Sequence, residues 1–271
     1  MNTRKEKING NSILLRNWKI DKPKATVLLV HGYGEHSGRY EETAMRLNSA
    51  GYSVYSYDRR GEGQSEGLKG HIQSIDNHVS DLVEIRKHVD VKGKLFLMAH
   101  SLGALVSLTY LLDHKPTGFD GVVLSSPFIK IDDGTAPILQ KMAGLIAAIL
   151  PKLPTIALDV KMISRDPKEV EKYVNDPYVY HGKTNAKTGY EMIKAIKNVQ
   201  SKFSEFNLPF IVLHGSEDKL ADPQGSKWLY ERSKSTDKKL VILDGLYHET
   251  MREPEKEQFF NGVLSWLDAR A

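Results

Sequence analysis

The chain has 271 residues, enough to bury a large core as one domain with an insertion or as two small domains. Its 38 basic and 34 acidic residues leave a formal net charge of +4, interleaved without a polybasic block. Nucleic-acid binding therefore has no support, and only a weak attraction to anionic surfaces is implied. Cysteine is absent, which excludes disulfides, thiolate metal sites and a cysteine nucleophile.

The opening Met1 to Lys7 is polar and no apolar segment follows it, so it does not read as a secretion signal. No run of about 18 apolar residues follows either, and the expectation is a cytoplasmic protein without a membrane span. Residues 10 to 20 alternate apolar positions around Trp18 and read as an antiparallel edge strand or hairpin arm. Lys24 to Val30 is a continuous apolar run, the mark of a strand buried on both faces, and it runs into a glycine-rich polar loop from His31 to Tyr40. A helix follows with Tyr40, Ala44, Leu47 and Ala50 on one face. The strand Tyr52 to Tyr57 then leads to a second glycine-rich loop, Asp58 to Gly67. Residues 74 to 90 have helical spacing.

Leu95 to Met98 then reads as a strand, and the apolar positions after Ser101 read as a helix, with Ser101 at the apex of the turn between them. A nucleophile elbow is a strained strand-to-helix turn that needs small residues two before and two after its serine. Ala99 and Gly103 meet that need, although glycine is usual at both places. Gly121 to Pro127 is a further buried strand.

The alternation of strand and helix breaks between about Phe128 and Val199. The most apolar stretch of the chain, Ala136 to Leu150, lies here, and its apolar positions run nearly round the helix. It reads either as a buried core helix or as a cap helix over an apolar site. The pattern returns with a strand over Leu208 to Leu213, a helix around Ser226 to Ser233, a last strand over Lys239 to Leu243 and a terminal helix carrying Phe259 to Leu267. Such alternation predicts a mainly parallel sheet with helices on both faces. Residues 1–127 and 201–271 would form the core, with 128–200 an inserted helical cap.

In a parallel sheet the strand ends that precede helices lie on one edge, so Ser101, Asp218 and His248 are expected in one neighbourhood. The order Ser, Asp, His is that of α/β-hydrolases. The imidazole takes the serine proton, and the carboxylate fixes the imidazole's tautomer. His248 follows the last strand, where the base is required. Asp218 is favoured over its neighbours Glu217 and Asp222 because the Gly-x-x-Asp spacing makes a tight turn that returns a carboxylate to the site. A tetrahedral intermediate also needs two backbone N–H donors, assigned to Leu102 at the start of the helix and Tyr33 in the His31-Gly32 loop.

The stretch His31-Gly32-Tyr33-Gly34-Glu35-His36-Ser37-Gly38-Arg39-Tyr40 closely resembles a signature of the monoacylglycerol lipase and lysophospholipase family. Asp58 to Gly67 resembles that family's next loop, and Ser164-Arg165-Asp166 with Asn175-Asp176-Pro177 resembles its cap-to-core segment. The resemblance spans about Lys24 to Trp266. Ala99 stands where the family usually has glycine, and Glu62 where histidine is common.

The resemblance implies an α/β-hydrolase fold with a helical cap, and hydrolysis of a single-chain lipid ester through an acyl-enzyme on Ser101. No metal or organic cofactor is required for such acyl transfer. Leu139, Met142, Leu145, Ile146 and Ile149 are expected to form an apolar wall for the acyl chain, and the cap to touch membrane surfaces transiently. Lysophospholipase and general carboxylesterase activity are the alternatives within the enzymes. A non-catalytic binding protein is disfavoured because all three triad positions hold competent residues.

Overall fold

The computed structural model describes residues 1–130 and 137–271, with side chains described outside 131–142. Eight strands form one sheet: β1 (Asn2–Ile8), β2 (Asn11–Trp18), β3 (Ala25–Val30), β4 (Tyr52–Tyr57), β5 (Lys94–His100), β6 (Gly121–Ser125), β7 (Phe210–Gly215) and β8 (Lys238–Leu243). Their spatial order is β1-β2-β4-β3-β5-β6-β7-β8. β1 and β2 form an antiparallel hairpin and β2 is antiparallel to β4, whereas every other neighbouring pair is parallel. The mainly parallel sheet expected from the sequence is thus extended by an antiparallel margin. β1 had no signal of its own, because six of its seven residues are at least partly exposed and its sequence is polar.

The continuous apolar runs become intelligible once both faces are covered. Along β3, Leu28 and Val30 point into one core while Val27 and Leu29 point into the other. β5 divides in the same way, with Leu95, Leu97 and Ala99 on the first face and Phe96 and Met98 on the second. The first face is covered by α2 (Ile75–Lys87), α3 (Leu102–His114), α6 (Ala186–Ser201) and α7 (Pro223–Arg232), the second by α1 (Glu41–Ser49) and α8 (Glu257–Asp268). α3 is buried on every side from Leu102 to Leu112, because α2 and α6 pack on it as well as the sheet.

Between β6 and β7 lie α4 (Pro137–Ile149), a 3-10 turn at Val160–Met162, α5 (Pro167–Asn175) and α6, with no strand of the sheet among the described residues there. Met192, Ala195, Ile196 and Val199 of α6 belong to the main core, so the end of this stretch is rooted on the sheet's helical layer. α4 packs on α6, with Ala147 buried and Gly144 against Tyr190, while Leu145 and Ile149 are 62% and 66% exposed. Over its described side chains the helix is therefore one-sided, covered by α6 at Ala147 and exposed at Leu145 and Ile149. Among the described residues, no helix is long and apolar enough to cross a membrane.

The strand order reverses between β3 and β5: the chain leaves β3 toward β4 and the hairpin, then returns to continue from β5 toward β8. The loops after such a switch point diverge and leave a crevice at the carboxyl edge of the sheet.

Candidate active site

Ser101 is the single residue between β5 and α3, and its backbone adopts φ 51° and ψ −120°. A positive φ is strained for a residue with a Cβ. The turn is held by backbone bonds from Ser101 N to Ser125 O (3.0 Å) and from Phe128 N to Ser101 O (3.1 Å). The side chain does not cap α3; its hydroxyl instead donates to His248 Nε2 at 2.9 Å. Gly103 lets α3 lie directly on β3: a Cβ there would fall inside the van der Waals radius of the carbonyl oxygens of Val30 and His31. Ala99 keeps a negative φ and adds its methyl group to the core, so glycine is not needed two residues before the serine.

His248 follows β8. Its Nδ1 donates to Asp218 Oδ2 at 2.7 Å, which leaves Nε2 as the acceptor facing the serine. Asp218 lies in the turn after β7, where its Oδ1 accepts from Leu220 N (2.8 Å) and Ala221 N (2.9 Å) while His214 Nε2 donates to Oδ2 at 3.0 Å. Burial alone would raise this carboxyl, but His248 and the donors around it outweigh burial and hold it well below the usual carboxylate range. The two rival acids are occupied elsewhere: Glu217 pairs with Lys219 on the surface, and Asp222 caps α7 and pairs with Lys130. The structure thus brings Ser101, His248 and Asp218 together in one hydrogen-bonded chain, across 147 residues between the first two.

For His248 itself, burial disfavours the imidazolium but the Asp218 carboxylate more than compensates, so its pKa is raised from the ordinary 6.5. The imidazole accepts the serine proton only when neutral. Activity is therefore expected to appear as pH rises through this raised value, and the acid limb of kcat/KM should be centred above pH 6.5. A pH–rate profile checks this, and in Asp218→Asn the limb should move down.

Tyr33 stands in the loop after β3, and its backbone N–H has no partner among the described residues. Gly32 brings that loop against the nucleophile, since a Cβ there would touch Ser101 Cβ at 3.3 Å. Leu102 N opens α3 and has no intrahelical acceptor, as for any first-turn donor. These are the two donors expected of an oxyanion site. Beneath them lies a buried ionic network in which Arg39 donates to Glu249 (2.7 and 2.8 Å) and to Glu35 (2.8 Å), and Tyr40 donates to Glu35 at 2.6 Å. Burial would raise both carboxyls, but Arg39 and Arg252 outweigh it at Glu249, and Arg39 with His100 does so at Glu35.

A cavity of about 380 Å³ opens on Ser101, within the size range of small-molecule sites. Phe128, Ile156, Leu158, Met192, Ile193, Ile196 and Leu220 give it an apolar wall. The wall expected from α4 is a separate set of residues. Leu145, Ile146 and Ile149 are not among the residues that line the cavity: α4 packs on α6 with Leu145 and Ile149 exposed, and the side chains of Leu139 and Met142 lie outside the described residues. The spacing of Met192, Ile193 and Ile196 on one helix was the available signal for α6. The segment 155–158 has no periodicity that could have shown its role. Among the described residues no group of histidine and acidic side chains is disposed to hold a metal ion.

A family model described as serine aminopeptidase, S33, matches residues 21–255. The chain belongs to the serine aminopeptidase S33 family of α/β-hydrolases. It is 34% identical to the monoacylglycerol lipase of Mycolicibacterium smegmatis, covering 96% of this chain and 94% of that one. It is also 34% identical to the monoglyceride lipase of Mus musculus, over 97% of this chain and 88% of that one. Among solved structures, the monoacylglycerol lipase of Paleococcus ferrophilus superposes with a TM-score of 0.84 at 33% identity, over 95% of this chain and 99% of that one. The resemblance carried by His31 to Tyr40 is thereby borne out, and so is the α/β-hydrolase fold.

Proposed function

We propose that this hydrolase cleaves the ester bond of single-acyl-chain lipids, with monoacylglycerol as the substrate, releasing free fatty acid and glycerol. The observation that carries the reading is the apolar cavity that opens directly on Ser101. His248 removes the serine proton as Ser101 Oγ attacks the ester carbonyl. The backbone N–H groups of Tyr33 and Leu102 take the charge of the tetrahedral oxygen, and glycerol leaves with a proton from His248. Water, deprotonated by the same imidazole, then releases the fatty acid.

An aminopeptidase reading would need a free anion to meet a substrate ammonium. Of the three carboxylates that border the cavity, Glu35 and Glu249 are instead committed to Arg39, and Asp159 is an exposed residue whose Oδ1 accepts from Lys161 N. The exposed apolar residues Leu145, Ile149, Leu150 and Leu153 give the enzyme a face with which to touch a membrane surface while it takes up its substrate.

The test is release of oleate from 1-monooleoylglycerol, with lysophosphatidylcholine and a short aryl ester in parallel. Turnover of the glyceride at least about tenfold above the lysophospholipid in kcat/KM, equivalent to about 1.4 kcal/mol of transition-state preference, is the expected result. Preference for either of the other esters would keep the site and discard the substrate.

A further inference from the structure

The loop that offers Tyr33 N–H to the substrate is gripped from behind by side chains that the acyl-transfer chemistry does not itself use. Within one peptide unit the carbonyl and the N–H point in opposite directions, so whatever holds Gly32 O also aims Tyr33 N–H. Gly32 O accepts two hydrogen bonds, from Arg59 Nη2 at 2.5 Å and from His31 Nδ1 at 2.9 Å. His31 in turn accepts from Arg59 N through Nε2 at 2.9 Å, which fixes its neutral tautomer. The next peptide is held as well, because Gly34 N donates to Glu62 Oε1 at 3.1 Å.

Arg59 and Glu62 are costly residues to keep in this place. Arg59 is 0% exposed and Glu62 is 2% exposed. Their nearest charged atoms are 3.7 Å apart, and Arg59 Nε, Arg59 Nη1 and Glu62 Oε2 have no partner among the described residues. A guanidinium keeps its charge even when buried. Here its one described side-chain hydrogen bond goes to the carbonyl behind the oxyanion donor, where a fixed cation polarises the peptide and strengthens the N–H on the other side.

We propose that Arg59 is a positioning residue for the oxyanion site: it orients and polarises the Gly32–Tyr33 peptide, and Glu62 moderates its charge while anchoring Gly34. The proposal rests on the reading of Tyr33 N–H as an oxyanion donor. It does not depend on which ester is the natural substrate. Opposite signs are expected for the two side chains: loss of the cation weakens oxyanion binding, and loss of the anion beside it strengthens oxyanion binding.

The experiment uses the full chain at pH 8, with 4-nitrophenyl butyrate as substrate and two inhibitors. An alkyl trifluoromethyl ketone adds Ser101 Oγ to its carbonyl and so places an oxyanion in the site, whereas oleate binds without a covalent bond. Arg59→Met is expected to lower kcat and weaken the ketone by on the order of 30-fold or more, with KM and oleate affinity within about twofold. Glu62→Gln retains an acceptor for Gly34 N and is expected to tighten the ketone about threefold. Arg59→Lys, which keeps the charge and much of the volume, supplies the measurement if Arg59→Met does not fold; it should weaken the ketone but not oleate.

An unchanged ketone affinity in the folded Arg59 variant, or parallel losses of ketone and oleate affinity, would overturn the proposal, as would weaker ketone binding in Glu62→Gln. Wild-type protein that hydrolyses the aryl ester but rejects monoacylglycerol would end the substrate assignment and leave this test intact. Wild-type protein that forms no ketone adduct would end both.

Discussion

Ser101→Ala is expected to reduce kcat on any ester by on the order of 10⁶-fold, and His248→Ala by a similar factor. Combined, the two should cost little more than either alone, because the hydroxyl and the imidazole act through the same hydrogen bond of 2.9 Å. Asp218→Asn should cost less, on the order of 10³ to 10⁴-fold, since the serine and the base remain and only the support at Nδ1 is changed. Single-turnover kinetics with an aryl ester, together with thermal melts that establish folding, check all three. Retention of full activity by Ser101→Ala would remove the acyl-enzyme from the mechanism.

Gly103→Ala should be strongly damaging for the addition of a single methyl group. The added carbon would collide with the carbonyl oxygens of Val30 and His31, both backbone atoms of the central sheet and its following loop, so no flexible side chain can move aside. Either α3 lifts off β3 or the loop carrying Tyr33 is displaced. We expect a loss of about 2 kcal/mol or more in stability and a fall of at least about 10²-fold in kcat. Gly189→Ala is the matched control, because a Cβ at that helical position meets nothing within 4 Å. It should be neutral or stabilising by up to about 1 kcal/mol. Urea unfolding of the two variants side by side separates a steric effect from a general intolerance of alanine.

The site was more legible than its walls. Ser101, Asp218 and His248 each follow a strand whose apolar run is visible in the sequence, and parallel strands deliver such residues to one edge. Asp218 could be separated from Glu217 and Asp222 because a turn two or three residues long has few ways to return a carboxylate to the sheet, and its Oδ1 does accept from the two N–H groups of that turn. The cavity wall has no such local signature. α4 is the most apolar helix of the chain yet leaves Leu145 and Ile149 exposed, while the lining comes in part from Ile156 and Leu158 in a segment without regular structure. Apolar content alone does not say which side of a layer a helix occupies. β1 escaped for the opposite reason: an edge strand is specified by the ladder it makes with β2, and its own sequence is free to be polar.

That polar edge has a bearing on how copies of the chain meet. A sheet with eight strands has two open rims, each a row of unsatisfied N–H and C=O groups on which a foreign strand could build. One rim belongs to β1, which carries Arg4, Lys5 and Lys7 against the single acid Glu6; the other belongs to β8, which carries Lys238 and Lys239. Joining either rim to the other, or to itself, would crowd ammonium and guanidinium groups along the seam. Like charges along a rim disfavour the edge-to-edge pairing by which sheets grow into fibrils.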